Sequence, residues 1–141
     1  MQHGIYYAYW EREWKGDYKY YIEKAARLGF DILEIAAGPL PEYTDADLRE
    51  LRQCAETNNI RLTVGYGPDP ANNISSPNPA VRENAIRFYT DLFQRMEKLN
   101  ATLIGGALST FMFCTWTPQG VMTGYGAMPS LPTPIVYTRT P

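Results

Sequence analysis

The sequence predicts an α/β fold in which short apolar strands alternate with amphipathic helices, giving parallel strands joined by right-handed crossovers. Three observations carry this reading. Between Gly29 and Gly38, Ile32, Leu33 and Ile35 form a run too short for a helix and β-branched at two of its three positions. Such a run is expected of a strand buried on both faces. Comparable runs recur at residues 4–9, 60–65 and 101–106. The segments between them place apolar residues at three- and four-residue steps, the period of a helix with one buried face.

Gly4 to Tyr9 is aromatic and β-prone and reads as the first strand. Trp10 to Trp14 follows as a loop, and Gly16-Asp17 opens a helix with its stripe at Tyr18, Tyr21, Ile22, Ala25, Ala26 and Leu28. Gly29 supplies the C-terminal stop. The strand at 31–36 leads through a proline-containing loop, Gly38 to Tyr43, to Thr44-Asp45-Ala46-Asp47, the cap and first-turn acids of a second helix. Leu48, Leu51, Cys54 and Ala55 form its apolar face, and Asn58-Asn59 ends it before the third strand, Ile60 to Gly65. Gly67 to Pro77, rich in Gly, Pro, Asn and Ser, is a long loop of the kind that often carries function. Asn78 and Pro79 then start a helix running to Leu99, with Val81, Ala85, Phe88, Leu92, Met96 and Leu99 on one face. Ala101 to Gly106 is the fourth strand.

The order βαβαβαβ fits an open doubly wound sheet or a barrel. No Gly-x-Gly-x-x-Gly follows the first strand, which disfavours a dinucleotide fold. Polar, aromatic or small residues follow every strand, at Tyr6, Gly38, Tyr66-Gly67 and Ala107, as on the active face of a barrel. Glu34 interrupts the second strand. A charge there either meets a cation on a neighbouring strand or reaches a polar pocket at the strand ends.

Composition narrows the function classes. A chain of 141 residues with 45% hydrophobic content makes one domain, and a net charge of −2 with pI near 5.4 favours neither nucleic acid nor an anionic membrane. No signal peptide or transmembrane run is expected from this sequence, and Cys54 and Cys114 form no paired framework. The expected compartment is therefore the cytoplasm. Charge is unevenly spread: all 15 acidic and 12 of the 13 basic residues lie in 1–108, whereas 109–141 holds only Arg139, with five prolines and seven threonines.

The segments His3 to Tyr7, Tyr21 to Lys24, Leu28 to Ala37, Leu62 to Gly65 and Ile104 to Leu108 resemble the ketose 3-epimerase family (D-tagatose 3-epimerase, D-psicose or D-allulose 3-epimerase), nearly continuously over 2–108. The resemblance implies the N-terminal half of a (β/α)8 TIM barrel of the xylose-isomerase-like type. It implies inversion at C3 of free ketohexoses such as D-psicose, D-fructose and D-tagatose through an enediolate. In the family two glutamates exchange the proton, assisted by Mn²⁺, Mg²⁺ or Co²⁺. Those glutamates and the metal ligands come from the second half of the barrel, which needs about 250 residues in all. By this reading residues 1–108 hold no catalytic residue and no metal ligand, and the chain is truncated and inactive. What carries over is the sugar-facing wall: Tyr6, Trp14, Gly65, Tyr66, Gly67 and Ala107, each weighed against simple core packing or turn formation. The family is homo-oligomeric, and a half barrel with unguarded edge strands is expected to self-associate or aggregate.

The resemblance lapses at Ser109. Residues 109–141 are expected to be an irregular tail, disordered or read out of frame. Val121 to Gly126, shifted back by one base, permits Asp-Asp-Trp-Leu-Arg, close to the Asp-Trp-x-Arg element that the family carries there. An early stop would follow such a shift. Two further readings stay open: another sugar or sugar-phosphate isomerase of the same barrel group, and a non-catalytic fragment.

Overall fold

The computed structural model describes residues 1–13, 16–67 and 69–106, together with the backbone of 115–116 and 122–123. Four strands, β1 (Gly4–Tyr6), β2 (Ile32–Ala36), β3 (Arg61–Gly65) and β4 (Ile104–Gly105), form one parallel sheet in the order β1-β2-β3-β4. The helices α1 (Tyr18–Arg27), α2 (Asp45–Thr57) and α3 (Pro79–Lys98) make the crossovers. Right-handed crossovers that always step the same way place every helix on one side of the sheet. The other side, the inner face, is where an α/β barrel gathers its chemistry. A further antiparallel pair joins β5 (Thr115–Trp116) to β6 (Met122–Thr123), a pairing not anticipated in a segment read as irregular. The remainder of 109–141, and with it the expected disorder, lies outside the described residues.

Each helix starts on a side-chain cap and stops on a left-handed residue. The Asp17 carboxylate accepts the backbone N–H groups of Lys19 and Tyr20 at 3.1 and 3.2 Å. Thr44 and Asp47 form a reciprocal capping box, with N–H bonds of 3.2 Å to the Thr44 hydroxyl and 2.8 Å to the Asp47 carboxylate. Asn78 accepts from Ala80 N–H at 3.0 Å, with Pro79 following it. At the other ends Gly29, Asn59 and Asn100 adopt φ of 84°, 53° and 57°, as helix terminators do.

Three elements differ from expectation. Tyr7–Tyr9 is a 3₁₀ turn and not strand. Its Tyr7 ring is fully buried between Tyr18 and Tyr21, with centroids 5.2 and 5.9 Å away, and this packing bends the chain off the sheet. β4 is shortened because Asn100 and Ala101 complete the turn out of α3, Ala101 N–H bonding back to Met96. β2 is buried unequally on its two faces, with Ala36 the one buried residue of its inner face. Leu33 and Ile35 are fully buried towards the helices, whereas Ile32 and Glu34 on the inner face are half-buried.

Register explains the difference. Leu33 pairs with Leu62 and Ile35 with Val64, so these four point together into the helical layer. Ile22, Ala25, Leu48, Leu51 and Leu92 meet them there in one core. Tyr6, Glu34 and Thr63 form the next row on the inner face, and Ala36, Gly65 and Gly105 the row above it.

Candidate functional site

The inner face near the C-terminal strand ends is built from these two rows. Ala36, Gly65 and Gly105 carry almost no side chain, so the upper row is a shallow floor. The Glu34 side chain rises from the lower row and lies across that floor. A Cβ on Gly65 would stand 2.7 Å from Glu34 Oε1, and one on Gly105 would stand 3.4 Å from Oε2. The glycines are what make room for the carboxylate. Among the described residues it has no hydrogen bond and no ion pair, so the reading of Glu34 as one half of an ion pair finds no cation here. Burial raises its pKa above the usual carboxylate range.

Tyr6 stands beside Glu34 in register, half-buried, with its ring edge-on to Tyr7 at 5.1 Å. Burial first, then Tyr7 and Glu34, push its phenol up to about 12, so at neutral pH it is a neutral hydroxyl. Gly65 forms part of the floor, and Gly67 is exposed in the loop beyond β3. Tyr66, between them, turns the other way. Its ring packs on Phe88 and Tyr89 of α3, with centroids 5.0 and 5.6 Å away. Its hydroxyl is buried, and no hydrogen bond of good geometry reaches it among the described residues. Burial pushes its phenol up to about 12, with Asn72 partly offsetting this. The backbone of Tyr66 stays with the sheet, donating its N–H to Gly105 C=O at 3.0 Å. The structure thus brings Tyr6 and Gly65 together on the inner face, while Trp14 and Ala107 lie outside the described residues.

Two features of this region go beyond the sequence expectation. Nothing local to Gly105 in the sequence shows that a side chain from β2 lies over it. Tyr89, four residues and so one helical step after Ala85, joins the buried stripe of α3.

The described residues do not fit a divalent-cation site: no three His, Cys, Asp or Glu side chains among them come together. A recess of about 390 Å³ lies away from the inner face, lined by Asp17, Tyr18, Lys19, Glu42, Tyr43, Asp47 and Leu51. Asp17 and Asp47 are already committed to capping α1 and α2, so helix capping accounts for the acidic character of this recess. No helix among the described residues is long and apolar enough to cross a membrane.

Comparison with known proteins agrees with this architecture. The chain is 63% identical over 111 residues to a D-psicose 3-epimerase of Ruminiclostridium cellulolyticum, a match covering 79% of the chain and 38% of the relative. It is 47% identical over 111 residues to the D-psicose 3-epimerase of Agrobacterium fabrum, with the same coverage. The crystal structure of the Clostridium cellulolyticum H10 D-psicose 3-epimerase with D-tagatose superposes with a TM-score of 0.75 at 65% identity, over 77% of this chain and 37% of that one. The chain therefore spans under two-fifths of the length of these relatives. The sequence pattern of the xylose isomerase-like TIM barrel family matches residues 22–125. With that match over most of its length, and a parallel β/α sheet to go with it, the chain belongs to the xylose isomerase-like TIM barrel family.

Proposed function

We propose that this chain supplies the substrate-facing wall of a ketose 3-epimerase acting on free ketohexoses of the D-psicose type. The observation that carries the reading is the 63% identity to a D-psicose 3-epimerase over 111 residues, 79% of the chain. The inner face has a chemistry suited to a sugar. Tyr6 offers a neutral hydroxyl and an aromatic edge, Gly65 keeps the floor free of a side chain of its own, Gly67 leaves open space beyond β3, and Tyr66 contributes its backbone at the rim. Trp14 and Ala107 complete the wall in this proposal. Proton transfer and binding of the divalent cation, Mn²⁺, Mg²⁺ or Co²⁺, fall to residues other than these.

A segment exchange tests the proposal. Residues 1–106 replace the matching segment of the Ruminiclostridium cellulolyticum relative, and C3 epimerisation of D-psicose is measured with Mn²⁺ present. Retained turnover is expected. A soluble, folded chimera that leaves D-psicose unchanged refutes the reading. In the same proposal the 141-residue chain by itself does not turn over ketoses, residues 109–141 are out of frame, and the compartment is the cytoplasm, where free Cys54 would stay reduced. Resequencing the coding region decides the frame: an intact shifted frame downstream of residue 108 is expected, and its absence rejects that part.

A further inference from the structure

Glu34 has no task in the wall just described, yet its placement is the least economical on the inner face. Its carboxylate extends sideways from β2 over two glycines of neighbouring strands. Either glycine replaced by a larger residue would crowd it, the Gly65 position most of all, at 2.7 Å. No lysine, arginine or histidine among the described residues pairs with it, and no N–H or hydroxyl among them donates to it. Tyr6 and Thr63, its register neighbours on the same face, leave its oxygens unbonded. A partly buried carboxylate without donors is unfavourable in the free protein and gains when a ligand brings them.

We infer that Glu34 anchors the ligand by accepting hydrogen bonds from hydroxyl groups of a neutral polyol, its two oxygens presented over the Gly65–Gly105 floor. This rests on the ketose reading and sharpens it, since Glu34 belongs neither to the wall residues proposed above nor to a metal site. An ionised carboxylate has acceptors only, so the complementary ligand group is an O–H donor. Adjacent hydroxyls of a sugar can engage both oxygens at once. Hydrogen bonds to a charged group are stronger than neutral ones, so this contact discriminates among ligands. The same negative charge repels an anionic ligand at this position. The glycine floor sets the orientation: with Gly65 in place, Oε1 occupies space that a Cβ would otherwise claim.

The test is a titration of the full 141-residue chain with D-psicose, followed by NMR of glutamate side-chain carboxyl carbons and of backbone amides. The Glu34 carboxyl resonance, assigned by its loss in Glu34→Gln, is expected to move with ligand. Glu34→Gln, nearly isosteric and checked for folding by circular dichroism, is expected to weaken D-psicose binding about tenfold or more. Gly65→Ala, which leaves the charge in place but pushes the carboxylate aside, is expected to weaken it as well. If amides of Tyr6 and Gly65 respond to D-psicose while the Glu34 carboxyl stays still and Glu34→Gln binds equally well, this inference is overturned and the ketose reading stands. If D-psicose moves no inner-face resonance of the unaltered chain, this inference is overturned, and the segment exchange above decides the ketose reading separately.

Discussion

Replacing Gly106 by alanine should be among the most damaging single-methyl additions available in this chain. Gly106 lies just beyond β4 with φ of 108°, a backbone conformation that residues with a Cβ rarely adopt. An added Cβ would also stand 2.2 Å from the Tyr66 carbonyl oxygen, 3.1 Å from its carbonyl carbon and 3.2 Å from its nitrogen. All three are backbone atoms, so relief requires moving β4 away from β3. That movement strains the 3.0 Å bond from Tyr66 N–H to Gly105 C=O. Strained backbone costs about 1–3 kcal/mol, and a lost hydrogen bond adds about 0.5–1.5 kcal/mol. The sum, about 2–4 kcal/mol, is a large share of the roughly 5–15 kcal/mol that holds a domain folded. Two other glycines separate the contributions. Gly29 has φ of 84° but nothing within 4 Å of an added Cβ, so Gly29→Ala isolates backbone strain, about 1–2 kcal/mol. Gly38 has neither a positive φ nor a neighbour within 4 Å, so Gly38→Ala should be neutral or stabilising by up to about 1 kcal/mol. Urea unfolding followed by far-ultraviolet circular dichroism, at one protein concentration, gives the three midpoints. The expected order of midpoints is Gly106→Ala below Gly29→Ala below Gly38→Ala, the first lowered by about 1 M or more relative to the unaltered chain. Equal midpoints for Gly106→Ala and Gly38→Ala would refute the close approach of β4 to Tyr66.

Three other outcomes follow from the same structure. Glu34 has its folded pKa raised by burial, so its ionisation opposes folding as pH rises from the unfolded towards the folded pKa; Glu34→Gln should stabilise the chain at pH 7. That gain should vanish below about pH 4, where the carboxyl is protonated in both states, and a gain independent of pH would contradict it. Thr44→Ala removes one half of the α2 capping box and should cost about 1 kcal/mol in chemical denaturation; an unchanged midpoint would show the cap to be idle. Sedimentation velocity should show concentration-dependent self-association, because β1 and β4 each have one strand partner among the described residues and neither carries a lysine or proline; a monomer at every concentration argues against it.

Much of the fold was legible because its signals are local. Thr44, Asn78 and Pro79 mark helix starts by side-chain chemistry within one turn, and Gly29 and Asn59 mark stops by tolerating positive φ. The alternation of strand and helix then implies a parallel sheet with right-handed crossovers, whereas the consecutive order β1-β2-β3-β4, which separates it from a doubly wound sheet, is a matter of tertiary structure. The end of β1 was not legible, because Tyr7 is as β-prone as Tyr6 and turns only to reach Tyr18 and Tyr21, more than ten residues away. For the candidate site, the sequence by itself determined that a carboxylate interrupts β2 and that Tyr6 and Gly65 stand near strand ends. Only the tertiary structure decided that Glu34 lies across Gly65 and Gly105 while the ring of Tyr66 joins the α3 layer. Those placements depend on register between strands about 30 and 40 residues apart, and on a two-residue side-chain alternation in which a shift of one exchanges the faces.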